Sequence, residues 1–119
     1  MKPRLTAALA DLDSGVVALK AGMGDLWHHT VVVMVTEFGR TVRPDGFLGT
    51  DHGTGTAAFI AGGSVAGGRI QANWPGLARH NLFEDRDLQP TADLRAVGKG
   101  LLAQHLGLSP GGAAEGLPR

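Results

Sequence analysis

The sequence has no cysteine, which excludes disulfide frameworks, thiolate zinc sites and cysteine nucleophiles. The compartment stays open, because cysteine-free chains suit cytoplasm and periplasm alike. Charge of either sign is not in excess: eleven Lys and Arg balance eleven Asp and Glu, with a pI near 7.0. There is thus no electrostatic footprint for nucleic acid or an anionic membrane, and neither is expected as a partner. Long hydrophobic runs are also missing; the longest aliphatic stretch, VVVMV at 31–35, is too short to span a bilayer. The opening MKPRLTAALADLD is basic, but Asp11 and Asp13 interrupt its apolar stretch before the core of an export signal can form. The expectation is a chain with neither export signal nor membrane anchor. No internal repeat is visible, and 119 residues suit one small domain rather than two.

What the chain has in quantity is glycine. Its nineteen glycines are about twice the usual share of roughly 7%; most lie between Gly39 and Gly76 or from Gly107 onward, without the three-residue period of collagen. They therefore mark shaped loops. Between them, Leu5, Leu9, Leu12, Val16, Leu19, Met23 and Leu26 recur at spacings of three and four. This predicts an amphipathic helix, loosened at Ser14-Gly15 and ending near Gly22 to Gly24. The β-branched run VVVMVT at 31–36 predicts a strand buried on both faces, and a helix feeding such a strand is half of an α/β crossover unit. AAFIA at 57–61 and GGRIQ at 67–71 predict two further short strands. Past the NWPGL loop and the charged EDRD, Thr91 is placed to cap a second helix and Asp93 lies in its first turn. Leu94, Val97, Leu101, Leu102 and Leu106 form that helix's apolar face and Gly107 stops it. The fold class is α/β, with about two helices and three short strands over 1–108 and a flexible tail at 109–119.

The chemistry-bearing residues gather in the polar loop at 37–56, EFGRTVRPDGFLGTDHGTGT, where Pro44-Asp45-Gly46 is a turn signal. Loops at the carboxyl ends of buried strands are where open α/β sheets bind ligands. Glu37 and Asp51 are fourteen residues apart, so a loop folded back on itself brings both carboxylates and the His52 imidazole together as a shell for zinc, manganese or iron. Arg40 and Arg43 supply planar forks for phosphate, sulfate or carboxylate oxygens. The plainer alternative is that Glu37 caps backbone donors, Asp51 and His52 hold the loop by hydrogen bonds, and the arginines are solvated. Gly53-Thr54-Gly55-Thr56 lacks the lysine of a P-loop and the third glycine of a dinucleotide fingerprint; close backbone approach to AAFIA explains its glycines better. His28 and His29 precede the first strand and diverge in extended chain. His80 is a distant third ligand for Asp51-His52, His105 borders the second helix's apolar face, and Trp74 plugs the edge of the core.

The string TEFGRTVRPDGFLGTDHGTGTAAFIAGGSVAGGRI, followed by WPGL and DLQPTADLRAVGKGLLAQHLGL, resembles the C-terminal part of the bacterial domain of unknown function 1501 (DUF1501) proteins over most of 5–108. EFGRT and GTDHG in that order are the specific pair. The resemblance implies distant kinship with the alkaline phosphatase and sulfatase superfamily, an α/β sandwich with metal ions beyond the carboxyl ends of its central strands. It implies a divalent metal (zinc, manganese, calcium or magnesium), with Asp51-His52 matching the superfamily's Asp-His ligand pair and Glu37 as the alternative inheritor. This sequence departs from the superfamily pattern in one respect: Glu37-Phe38 occupies the place directly after the strand where the superfamily pair tends to sit, and Asp51-His52 comes after a further loop. It further implies export to the periplasm by a twin-arginine signal, and a nucleophile and other ligands in an N-terminal region; the expectation is that neither is part of this chain. The expectation is therefore a fragment or truncated homologue of a metal-dependent phosphate or sulfate ester hydrolase-like protein, inactive alone, with Arg40 stabilising charge on a small anionic ester. Its central strand, left with open edges, invites self-association. The alternative is a non-catalytic exported binding or assembly module of the same fold.

Overall fold

The computed structural model describes residues 2–108, so the predicted tail at 109–119 lies outside the described residues. The chain is mixed α/β. Helix α1 (Lys2–Met23) runs unbroken past Ser14-Gly15, so the expected loosening does not occur. It ends where the sequence said it would, because Gly24 takes φ 53° and turns the chain into a 3-10 segment, Gly24–His29. Strands β1 (Val32–Met34), β2 (Gly39–Arg40), β3 (His52–Gly53) and β4 (Phe59–Ala61) follow, then a 3-10 turn at Arg79–Asn81 and helix α2 (Leu94–Leu106).

The strands form two separate antiparallel pairs. β1 lies against β4 with Val33 opposite Ile60, and β2 lies against β3 with Arg40 opposite His52. This corrects three expectations. First, α1 and β1 are not half of a parallel crossover unit, because β1 finds its neighbour in an antiparallel strand. Second, GGRIQ forms no strand, since its two glycines leave it no cross-strand partner and Ile70 is exposed. Third, β1 is not buried on both faces: Val33 is exposed and Val32 and Met34 are half-buried. The VVVMVT run nevertheless forms a strand, as β-branched side chains favour a pleated backbone. Behind β1 the 3-10 segment is tied to the turn after β4: Gly63 N–H donates to the Trp27 carbonyl at 3.0 Å and Ser64 Oγ to the His28 carbonyl at 2.8 Å.

Helix α2 is capped two residues later than expected. Asp93, not Thr91, is the N-cap; its carboxylate accepts from Arg95 N–H at 2.9 Å and from the Arg95 guanidinium. Asp carries the stronger capping charge at a helix N-terminus, which is why it prevails over Thr two residues earlier. Gly107 stops the helix as predicted, in the left-handed region at φ 65°.

Burial is concentrated in one small place. Among the described residues the only buried hydrophobic side chain is Leu82, and the buried polar ones are Thr41 and Asp87. Gly39 and Gly55 are buried beside them. The apolar face predicted for α1 is uncovered, with Leu5, Leu9, Leu12, Leu19 and Leu26 all exposed. Trp74, 63% exposed, plugs nothing. Close packing is thus carried by backbone rather than by large side chains. A Cβ on Gly39 would collide with the Gly55 carbonyl, and one on Gly55 with the Leu88 carbonyl.

The two classes of glycine separate experimentally. Gly39→Ala is expected to lose about 3 kcal/mol of stability, through forced separation of backbone that has no room to move. Gly15→Ala, with nothing within 4 Å of the added methyl, is expected to gain about 0.5–1 kcal/mol of helix stability. Denaturant unfolding followed by far-ultraviolet circular dichroism measures both.

Candidate functional site

The β2–β3 pair organises the predicted site. Extended backbone sends successive side chains to opposite faces and sets cross-strand neighbours on the same face. Phe38, Arg40 and His52 therefore share the outer face, while Gly39 and Thr41 turn inward and are buried. The Phe38 ring stacks on the His52 imidazole with centroids 3.7 Å apart and planes 25° from parallel. The Arg40 guanidinium carbon lies 6.0 Å from the Phe38 centroid, in the range of a cation–π contact. Arg40 Nη1 donates to the Thr50 carbonyl at 2.7 Å, and no carboxylate pairs with Arg40 among the described residues. The result is an arginine held at one nitrogen, beside an imidazole, with its remaining donors turned to solvent.

The inner face is a mesh of backbone and side-chain hydrogen bonds around Asp87. Thr54 Oγ1 donates to Asp87 Oδ2 at 2.9 Å, and Arg86 Nε donates to Oδ1 at 2.8 Å. Thr41 bridges to Asp87 in the backbone, Val42 N–H donates to the Arg86 carbonyl, and Leu88 N–H donates to the Arg40 carbonyl. The segment 83–87 therefore acts as a third strand-like piece alongside β2. It is delivered there by a tight turn in which Glu84 and Asp85 both take positive φ, 52° and 58°, with Arg86 N–H donating to the Phe83 carbonyl. Burial pushes the Asp87 pKa up, but the hydrogen bonds from Thr54 and Arg86, with the Arg86 charge, outweigh it and leave the carboxyl below its ordinary value.

The other predicted residues fall as follows. Asp51 joins the mesh through its backbone: Thr41 N–H donates to its carbonyl and its own N–H donates to Thr41 Oγ1, both at 3.1 Å. By strand alternation its carboxylate leaves on the opposite side from His52. Glu37 is exposed. Asp45 accounts for the turn at 44–46: its Oδ1 accepts from Phe47 N–H and Gly49 N–H, each at 2.8 Å, and Leu48 takes φ 63°. The glycines of 53–56 do serve close backbone approach, but against Arg40, Thr41 and Leu88 rather than against AAFIA. His80 sits exposed in its 3-10 turn, and His105 is half-buried in the last turn of α2.

No three His, Cys, Asp or Glu side chains among the described residues converge as a metal shell. Glu37, Asp51 and His52 within this chain are thus not a closed donor set, and the fit to a bound metal fails on the count of donors. The residues that sequence reasoning missed are Phe38, Thr41, Thr54, Arg86 and Asp87. EDRD looks like a solvated charge run; the one sign to the contrary is a lone Asp followed by leucine after a tight turn, which is faint.

No helix among the described residues is long and apolar enough to cross a membrane. In comparisons with known proteins, the model of the family described as "Protein of unknown function (DUF1501)" matches residues 1–115. No curated protein and no solved structure matches.

Because the folded-state pKa of Asp87 is depressed, its contribution to stability is present above the ordinary carboxylate pKa of 3.8 and is lost as pH falls through the lower folded value. The chain is expected to lose stability as pH drops below about 4. Asp87→Asn is expected to be less stable at neutral pH and to flatten that acid dependence, as read from urea midpoints between pH 7 and pH 2.5.

Proposed function

The chain belongs to the DUF1501 family, and from that premise we propose that it is the C-terminal part of a hydrolase-like α/β protein of the alkaline phosphatase and sulfatase kind, carrying the anion-facing portion of its site. The observation that supports this most directly is the pairing of Arg40 with His52 across β2–β3, with the arginine anchored at Thr50 and, among the described residues, paired with no carboxylate. A guanidinium fixed in this way loses little freedom when its outward N–H groups take up two oxygens of a phosphate or sulfate. The imidazole beside it is clamped by Phe38, so its nitrogens keep a defined direction toward the same anion. Burying an unpaired Arg against a ligand is favourable only if that ligand is negative, which supports a small anionic ester as the substrate class.

In this reading His52 would be the ribbon's donor toward a divalent metal whose other ligands come from outside the described residues, Asp51 leaving on the other side of the strand, and the chain alone is inactive. Arg40 orients the ester and neutralises its charge; the ribbon backbone keeps Arg40 and His52 in register. The uncovered apolar faces of α1 and β1 fit a part-domain in need of the rest of its fold. They equally favour the second reading, a non-catalytic assembly module whose loop is scaffold.

Titration with inorganic phosphate or sulfate separates the two. The His52 imidazole resonances are expected to shift on addition of the anion, and Arg40→Ala to weaken that response about tenfold, the usual loss of a charge-assisted pair. Elemental mass spectrometry after dialysis is expected to find at most weakly held metal, reduced in His52→Ala. No anion response in the parent chain, or the same response in Arg40→Ala, would sink the hydrolase-like reading and leave the assembly module.

A further inference from the structure

Phe38 touches both polar side chains of the outer face, yet it stands one residue before β2 and outside the paired ladder, whose register covers Gly39 and Arg40. Phe38 is 41% exposed, so close packing does not set where its ring lies. Its backbone is held instead by Thr36, whose Oγ1 donates to the Phe38 carbonyl at 2.8 Å. The same oxygen lies 3.3 Å from Thr56 Oγ1. A threonine hydroxyl has one proton. That of Thr36 is directed at Phe38, so Thr56 is the donor in the contact between the two hydroxyls. The result is a directed chain, Thr56 to Thr36 to Phe38, in which each bond polarises the next. Thr36 lies in the connection from β1 to β2 and Thr56 in that from β3 to β4. The chain therefore ties the two antiparallel pairs together at the point from which Phe38 departs.

We propose that Thr36 and Thr56 are positioning residues of the anion site and act through Phe38, fixing its main chain so that the ring meets the His52 imidazole and the Arg40 guanidinium together. The use of this device rests on the anion-binding reading; the device itself does not. The ring centroid is 3.7 Å from that of His52, at 25° between planes, and 6.0 Å from the Arg40 guanidinium carbon. Both contacts depend on the placement of the ring face, so a turn of the Phe38 backbone disturbs both at once. Arg40 keeps a second anchor at the Thr50 carbonyl, and the disturbance falls first on His52. Each hydroxyl bond is exposed and modest in strength, which makes the effect graded rather than all-or-none. Position 36 closes the aliphatic run VVVMV, where valine would serve a strand equally well. What threonine adds there is the hydroxyl.

The His52 imidazole proton resonances of the full chain report the stacking directly. They are expected to lie upfield of the other histidines, shielded by the Phe38 ring, and Phe38→Leu is expected to abolish that displacement. Thr36→Val keeps the branched shape and removes the hydroxyl; it is expected to move the resonances well toward the Phe38→Leu position, while Thr36→Ser leaves them in place. Thr56→Val is expected to act in the same direction but less, and to add nothing in the double variant with Thr36→Val. Titration of the same samples with inorganic phosphate is expected to show affinity about threefold lower in Thr36→Val, the loss of one exposed neutral hydrogen bond, and restored in Thr36→Ser. Unmoved His52 resonances in Thr36→Val, failure of Thr36→Ser to keep them in place, additive effects of the two valines, or unchanged phosphate affinity beside a displaced imidazole would each overturn the proposal. If the parent chain itself gives no phosphate response, the anion-binding reading falls, and the resonance displacements alone still decide whether the hydroxyls position Phe38.

Discussion

The buried Asp87 carboxylate is the interaction on which this structure turns. It lies where the chain has almost no apolar core to offer, and it satisfies its charge with Thr54 on one oxygen and Arg86 on the other. A buried carboxylate with one partner missing would be strongly unfavourable. The two donors come from segments more than thirty residues apart, so satisfying the carboxylate requires β3 and the 83–87 turn to meet. Once they meet, Leu88 N–H donates to the Arg40 carbonyl and Arg40 N–H to the Gly55 carbonyl, and β2 is held in place.

The glycines make that meeting possible. Gly39 and Gly55 are buried at points where backbone touches backbone, and any side chain there would hold the strands apart. Directly behind this inner face, on the other side of β2, stand Phe38, Arg40 and His52. The register that buries Thr41 is the same register that presents Arg40 outward, because alternate residues of extended chain must part company. Structure and site are therefore two faces of one ribbon, and a change that slips the ribbon by one residue would bury the arginine and expose the threonine.

Away from the ribbon the chain holds its shape by local means. Helix α1 persists through periodic leucines and good helix formers, α2 through its Asp93 cap and Gly107 stop, and β1 with β4 through one short antiparallel ladder. Most of the large apolar side chains of these elements remain at the surface. The physical demand left over is coverage of apolar area, and it falls most heavily on β1, whose edge and side chains are both open.

The helices, the strand-forming character of VVVMVT and AAFIA, the turn at 44–46 and the glycine stop of α2 were all legible in the sequence, since each rests on propensity, periodicity or capping within a few residues. Arg40 and His52 were legible as residue types in a polar loop, but not as neighbours. Pairing, register and burial were decided only by the tertiary structure: that β1 takes an antiparallel partner, that Asp51 and His52 leave on opposite faces, and that one aspartate in an apparently solvated EDRD becomes the buried anchor. Such features depend on contacts between residues far apart in the chain, where a local pattern carries no information about which distant group will arrive to satisfy a charge or complete a strand pair.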